Sequence, residues 1–254
     1  MRKKGMKNTL RLLLFLLMIN SLMIVIPLLA AAAEFKVKPV KNGGSISGTV
    51  SFKGQVPKPK ILTIVKDQEV ANAESREVDV VVVNDGHLAE AVVYLAKVKA
   101  GKEWPLVPEN GMINQEGARF LPTSRVVHKG VRVEIKNSDP IMHNIHTYEL
   151  IGRARRTLFN RGQIPNSAIK TAFKVKKAPF VKLECDKHDF MHEYLFVASN
   201  PYYSVTGKDG AFSITDIPPG TYTLSVWHPV IGKNKTKITV VAGQKVTNDF
   251  TFEK

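Results

Sequence analysis

The 254-residue chain has one cysteine and lacks the sequence signatures of the common catalytic machineries. There is no Ser-His-Asp ordering, no paired-carboxylate signal, no glycine-rich phosphate loop and no HExxH motif, so the sequence predicts a protein that is not an enzyme. One cysteine cannot form a disulfide within the chain, and an unpaired thiol in an exported protein is open to oxidation. The presence of Cys185 therefore calls for another explanation.

Long apolar runs are also scarce, and the single one stands at the N-terminus. Five basic residues between Arg2 and Arg11 precede an apolar stretch from Leu12 to Ile26, and small residues follow as far as Ala33. This layout is typical of a cleaved secretory signal. A permanent anchor would need roughly 20 unbroken apolar residues. We therefore expect residues 1–33 to be a signal peptide, and the mature chain to be exported, periplasmic or extracellular, with no transmembrane span.

The chain carries a formal net charge of +15, which becomes +10 when the five basic residues of the signal are removed. Its lysines are scattered among strand positions rather than gathered into long runs, so we expect no nucleic-acid partner. One region is denser in basic residues, and we interpret it as a docking face for a protein partner. The members of this basic face are Arg153, Arg155, Arg156, Lys174, Lys176 and Lys177.

Apolar residues recur at every second position through most of the chain after the signal, and turn residues interrupt them about every 8 to 15 residues. In "GSISGTVSFKG", for example, Ile46, Val50 and Phe52 fall on one face of a strand. No amphipathic helix stands out. The pattern predicts an all-β fold built from sandwiches or barrels.

Four segments carry a resemblance to a known family. "SGTVSFKG", "AVVYL", "TGKDGAFSITDIPPGTYTL" and "VTNDFTF" resemble the carboxypeptidase-regulatory or transthyretin-like β-sandwich. In that family the second and third segments lie close together, whereas about a hundred residues separate them here. The resemblance implies a discontinuous sandwich from residues 44–100 plus 201–254, with a separate domain inserted at residues 101–200.

The cysteine lies in this insert, within "VKLECDKHDFMHEY". Alternation places Val181, Leu183 and Cys185 on one face of a strand, and the following turn presents His188 and then Met191. Upstream, the polar corner "NSDP" leads to His143. Thiolate, imidazole and thioether donors suit a soft or borderline metal, and two histidines, a cysteine and a weak axial methionine describe a mononuclear blue-copper site.

The C-x-x-H-x-x-M loop, downstream of the "HN" at His143 and Asn144, resembles the plastocyanin and amicyanin branch of the Greek-key cupredoxins over about residues 115–198. The resemblance implies copper as the cofactor. It also implies that Asn144 joins the two ligand loops by hydrogen bonding. The ligands it implies are His143, Cys185, His188 and Met191. The combined arrangement is similar to exported bacterial proteins labelled methylamine-utilisation-like.

Three further histidines, His146, His192 and His228, are candidates for additional metal ligands or for the rim of the site. The main hypothesis is an exported electron carrier in which His143 or His188 approaches solvent and a redox protein such as a c-type cytochrome docks. One alternative is a copper storage, delivery or sensing module. Another is a structural or adhesive protein, in which the transthyretin-like sandwich binds a partner or a cell-surface polymer and the cupredoxin-like domain stabilises the assembly. A separate alternative for Cys185 alone is a small buried hydrophobe without a metal.

Overall fold

The computed structural model describes residues 34–78, 80–105, 111–122 and 125–253, so the predicted signal peptide lies outside the described residues. Strands make up 58% of the structure and helix 2%. Among the described residues no helix has the length and apolar character needed to cross a membrane. The prediction of an all-β sandwich fold is confirmed.

The strands are short and numbered here in chain order. The first eleven are β1 (Lys36–Val37), β2 (Gly44–Lys53), β3 (Lys60–Thr63), β4 (Ser75–Val78), β5 (Val83–Asn84), β6 (His87–Leu88), β7 (Val92–Ala96), β8 (Ala100–Gly101), β9 (Met112–Gln115), β10 (Phe120–Pro122) and β11 (Val126–His128). The next six are β12 (Val133–Asn137), β13 (His143–Ile151), β14 (Ala154–Gln163), β15 (Ser167–Thr171), β16 (Phe180–Cys185) and β17 (His188–Ala198). The last six are β18 (Tyr203–Val205), β19 (Ala211–Ile217), β20 (Gly220–His228), β21 (Gly232–Val240), β22 (Lys245–Thr247) and β23 (Phe250–Glu253). One short helix, α1 (Gln68–Ala71), lies between β3 and β4.

The first sandwich joins strands from both ends of the described chain. One of its sheets has the order β18-β7-β20-β21, and the other is built around β2, which pairs with β19, β6, β22 and β23. Ile46 on β2 lies opposite both Ile214 and Val246. Alternate residues such as Val50 and Leu224 are fully buried between the sheets. This sandwich is therefore discontinuous in sequence.

The pairing of β2 with the chain's last strands depends on Gly48. A Cβ at that position would lie 1.9 Å from the carbonyl oxygen of Asn248. Any side chain would therefore push the backbone of the β22–β23 connection away from β2. Glycine allows the two backbones to approach this closely.

The second sandwich carries the candidate metal ligands. Its sheets have the orders β10-β9-β12-β15 and β11-β17-β16-β13-β14. The alternating apolar residues of β12 and β16 point inward, and Ile113, Ile135, Leu183 and Leu195 are all fully buried between the sheets. Because the two cores are separate clusters, each sandwich buries its own apolar face.

The segment from β3 to β4 differs from its sequence assignment. Residues 44–100 were predicted to belong to the transthyretin-like sandwich, but Ile64 and Ala71 pack into the core of the second sandwich. Arg76 also donates hydrogen bonds to the carbonyl oxygens of Ala118 (3.0 Å) and Gly117 (2.9 Å). The alternation of a four-residue strand shows that one face is apolar, but it does not show which core that face meets.

A third apolar cluster joins the two sandwiches. Trp227 of the first sandwich stacks on Phe180 of the second with ring centroids 4.6 Å apart, and the ring centroids of Tyr94 and Phe196 lie 4.6 Å apart.

Ion pairs also join the two sandwiches beside this cluster. Arg125 pairs with Glu90 of the first sandwich at 2.6 Å and with Glu193 of the second at 2.9 Å. The shared aromatic contacts hold the two sandwiches in one compact unit.

Candidate metal centre

Two imidazoles and the thiol meet in the second sandwich. The Nδ1 atoms of His143 and His188 lie 3.1 Å apart, and the Sγ of Cys185 lies 4.0 Å from the first and 3.5 Å from the second. The three residues are between 0% and 2% exposed. Within the described parts of the chain, this is the one group of at least three His, Cys, Asp or Glu residues arranged closely enough to hold a metal ion.

Neighbouring strands of the five-stranded sheet position these donors. His143 begins β13, Cys185 ends β16 and His188 begins β17. A register shift after Glu184 brings Cys185 directly opposite His188 across the tight β16–β17 turn. Because β13 pairs with β16, the start of β13 also reaches this end of the sheet.

A carboxylate holds the far nitrogen of each histidine. The Nε2 of His143 lies 2.8 Å from Asp139 Oδ2, and the Nε2 of His188 lies 2.7 Å from Asp67 Oδ2. Each carboxylate accepts a hydrogen bond from Nε2–H, so the neutral ring keeps a lone pair on Nδ1. Two such lone pairs, 3.1 Å apart and beside a sulfur, repel one another unless a cation lies among them. The donor set therefore fits a metal ion.

The favoured protonation state of His143 is also the one that can bind a metal. Burial lowers the pKa of His143, and the hydrogen bond and charge of Asp139 oppose that shift only in part. A lowered pKa favours the neutral imidazole, which is the form that binds metals. The side chain is thus kept ready for coordination at neutral pH.

Asn144 links the two ligand-bearing loops. Its backbone N–H points at Cys185 Sγ at 3.5 Å, and its Oδ1 accepts a hydrogen bond of 2.6 Å from the backbone N–H of Asp186. Its Nδ2 donates to Asp186 Oδ2 at 2.9 Å. These bonds join β13 to the turn after β16.

Met191 lies on β17, three residues after His188. It is 1% exposed and belongs to the same apolar cluster as Cys185. The residue is therefore inside the sandwich rather than on its surface. Its role as an axial thioether ligand stays a prediction.

The three additional histidines lie outside the His143–Cys185–His188 group. His146 has its Nδ1 3.0 Å from Asp186 Oδ1 and stacks on Tyr148 with centroids 4.1 Å apart, so it stands at the rim. His192 lies opposite Glu184 on β16, and burial together with the charges of Lys182 and Lys60 lowers its pKa.

His228, the third of these histidines, has a structural position at the end of β20 in the first sandwich. It is 2% exposed, and its Nδ1 accepts from the backbone N–H of Val230 at 3.2 Å and of Ile231 at 3.4 Å. It belongs to the turn that follows β20 rather than to the rim of the metal centre.

The predicted basic face is only partly available to a partner. Lys174, Lys176, Lys177 and Arg153 are exposed. Arg155 pairs with Glu184 at 3.1 Å and covers the Tyr148 ring at 4.3 Å. Those two contacts occupy part of its guanidinium, although its side chain remains 56% exposed.

Arg156 has a different role, because it binds the fully buried Glu149. Its Nε lies 2.8 Å from Glu149 Oε2, and its Nη2 bonds the same oxygen. The other oxygen of Glu149 accepts backbone N–H bonds from Lys176, Lys177 and Ala178. Burial would raise the pKa of Glu149, but these donors outweigh it and lower the pKa to about 2. Arg156 is thus a structural residue rather than a free docking charge.

The sequence interpretation missed both carboxylates that hold the histidines. Asp139 lies four residues before His143 in "NSDPIMHN", so its proximity to the ligand was a usable signal. Asp67 lies 121 residues before His188 and reaches it only because the β3–β4 segment packs on the second sandwich. No local pattern could have found it.

The fold and this centre define an all-β protein with a buried candidate metal site of two histidines and a cysteine. Residues 197–253 match the family model of the carboxypeptidase regulatory-like domain, which supports the predicted resemblance for the end of the chain. No curated protein matches the chain.

Three solved structures show weak similarity to this chain. A purple cupredoxin from Nitrosopumilus maritimus is 18% identical, with a TM-score of 0.28 over 34% of this chain and 98% of the other. A reduced amicyanin variant is 16% identical, with a TM-score of 0.27 over 42% and 98%. A copper-containing nitrite reductase from Thermus scotoductus is 17% identical, with a TM-score of 0.28 over 37% and 23%. Similarity at this level carries no argument about function, which depends here on the geometry of the centre.

Proposed function

We propose that this protein binds one copper ion among His143, Cys185 and His188 and transfers electrons, outside the cytoplasm, to or from a redox protein. The observation that supports this most is the buried triangle of two imidazole nitrogens and one sulfur, with no pair more than 4.0 Å apart. This donor set suits copper, which supplies a one-electron couple when bound. The proposal is one of electron transfer rather than of catalysis.

Met191 is proposed as a fourth, weak ligand. Its burial in the same core as Cys185 supports this role. A thioether there would bind copper weakly and would tune its reduction potential.

The residues around the donors favour a rigid site. Asp139 and Asp67 fix the orientation and tautomer of the two imidazoles, and such outer hydrogen bonds preserve ligand geometry. The backbone N–H of Asn144 is directed at Cys185 Sγ and helps to hold the sulfur in position. A site that keeps its geometry suits electron transfer because little has to rearrange when the charge of the metal changes.

Burial argues against rapid metal delivery, the first alternative function. Neither His143 nor His188 has an exposed side chain, and both are bound to carboxylates. Release of a metal would require these contacts to open. The centre is therefore built to retain its metal, and we expect slow exchange.

The expectation that His143 or His188 approaches solvent is wrong, because both rings are buried. The connection from Cys185 to the surface runs instead through Asn144 and Asp186 to His146, which are joined by hydrogen bonds. We place the electron entry point at this rim.

The exposed lysines and Arg153 of the basic face favour an acidic partner, such as a c-type cytochrome.

The first experiment is a titration of residues 34–254 with Cu(II), followed by visible absorption and electron paramagnetic resonance. We expect intense charge-transfer absorption and a narrow copper hyperfine splitting, both absent in Cys185→Ser. Met191→Leu is expected to change the reduction potential, while Met112→Leu, on β9, serves as its matched control. A pale spectrum that is unchanged in Cys185→Ser would contradict a thiolate–copper centre.

A second experiment separates electron transfer from copper delivery. The copper-loaded protein is mixed with a high-affinity chelator and, separately, with a reduced c-type cytochrome. An electron carrier exchanges electrons much faster than it loses copper. Rapid loss of copper without electron exchange would favour the delivery function instead.

A further inference from the structure

The first sandwich has a cleft that the metal centre does not involve. It has a volume of ≈ 850 Å³ and lies on the outer side of the sheet formed by β18, β7, β20 and β21. The floor is β20, whose Thr221, Thr223 and Ser225 alternate with Leu224 and Val226 of the buried core. Because side chains alternate along a strand, these hydroxyl groups share the face away from the core.

Lysines stand on both sides of this floor. On β21, Lys237 lies opposite Thr223 and Lys235 lies opposite Ser225. On the other side Ala96 of β7 lies opposite Thr223, and the chain continues through Lys97 and Lys99, which also line the cleft. We call this group of Lys97, Lys99, Lys235 and Lys237 the lysine cleft.

Among the residues that the structure describes, none that lines the lysine cleft is acidic. Within the described ranges, none of its four ammonium groups takes part in an ion pair. Four like charges around one concave surface repel one another and produce a positive potential, which a cleft concentrates. Such an arrangement favours the binding of an anion.

One alternative role for these lysines is to protect the edge of the sheet from pairing with other chains, but this accounts only for Lys235 and Lys237. Lysines on an edge strand such as β21 prevent pairing with other chains. Lys97 and Lys99, however, follow β7, which lies inside the sheet between β18 and β20. Their position against the same hydroxyl-lined floor requires another reason.

We infer that the lysine cleft binds an acidic polysaccharide. Its carboxylates would pair with the four ammonium groups, and its sugar hydroxyls would bond to Thr221 and Thr223 on the floor. Sites for small ligands span roughly 300–1,000 Å³, so the cleft has room for a short stretch of sugar units. All four lysines are exposed, so the rest of a polymer can continue into solvent. This site does not depend on the proposed copper function.

The test measures binding of residues 34–254 to polygalacturonate by isothermal titration calorimetry at low and moderate salt. The variant carries Lys→Gln at positions 97, 99, 235 and 237. The matched control carries Lys41→Gln, Lys53→Gln, Lys58→Gln and Lys208→Gln, which remove the same charge from exposed positions outside the cleft. Circular dichroism and thermal unfolding check that all three proteins fold.

We expect affinity to fall at least about tenfold in the cleft variant and less than about threefold in the control, since exposed ion pairs each contribute modestly. Affinity should also weaken with salt. Equal losses in the two variants, or binding of uncharged dextran with similar affinity, would overturn the inference. Binding of polyphosphate without binding of polygalacturonate would overturn the assignment to a polysaccharide.

Discussion

Glu149 provides a quantitative test of how the second sandwich is held together. It lies on β13, opposite Val181 of β16, and its side chain is fully buried. One oxygen accepts three backbone N–H groups of the 176–178 segment, and the other binds Arg156. Glu149→Gln keeps the size of the side chain but replaces one acceptor oxygen by an NH₂ group that faces donors.

The expected cost follows from the pKa of Glu149, which falls from 4.5 to about 2 on folding. That shift corresponds to about 3 kcal/mol of the free energy of unfolding at pH 7. The folded state has the lower pKa, so the contribution is complete above pH 4.5 and disappears as the pH falls through about 2. At pH 3.5 about 2 kcal/mol remains, and at pH 2.5 about 1 kcal/mol remains.

Urea unfolding of the two proteins between pH 7 and pH 2.5 measures this contribution as the difference between wild type and Glu149→Gln. Glu134→Gln is the matched control, because Glu134 forms an exposed pair with Lys170 at 3.4 Å and should contribute less than about 1 kcal/mol. A wild-type-minus-variant difference that stays constant over this pH range would refute the electrostatic account. A difference below 1 kcal/mol at pH 7 would contradict the expected contribution of about 3 kcal/mol.

Three further predictions test other parts of the structure. Asp67→Ala removes the partner of His188 Nε2 and should weaken copper binding about 10- to 100-fold in a chelator competition; unchanged affinity would show that Asp67 does not orient the ligand. Trp227→Ala leaves a cavity at the centre of the aromatic interface and should lower the free energy of unfolding in urea by about 3–5 kcal/mol. A loss below about 1 kcal/mol would mean that the two sandwiches are held together mainly by other contacts. Gly48→Ala places a Cβ against Asn248 and should cost about 1–3 kcal/mol; normal stability would show that β22 and β23 can move aside freely.

The sequence predicted the elements of this structure best where the pattern was local. Alternation along β2, β12 and β16 predicted strands and their inward faces, because a buried face selects apolar residues at every second position. The grouping of Cys185 with His188 could also be predicted, since only two residues separate them. His143 was predicted from a motif, and strand pairing brings it to the same end of the sheet.

Contacts between segments that are distant in sequence could not be predicted from local patterns. Nothing in "VKDQEV" indicates that Asp67 meets His188, because that contact depends on how the β3–β4 segment packs. His188 is bonded to Asp67, so the burial of this imidazole also depends on that packing, and for this reason its expected approach to solvent was wrong. Arg156 likewise has the sequence surroundings of a surface charge, but it pairs with the buried carboxylate of Glu149, which the local pattern does not indicate.

The pairing of β2 with β19, β22 and β23 has a consequence for the order in which the chain acquires structure. Ser45 meets Lys245, and Val50 meets Phe250, so this sheet closes only after almost the whole chain is available. The strands from β9 to β17 find all their sheet partners within their own stretch of sequence. Because contacts between distant residues form slowly, we expect the second sandwich to be established first. It would then hold the two sequence-distant parts of the first sandwich near one another, so that their strands pair sooner.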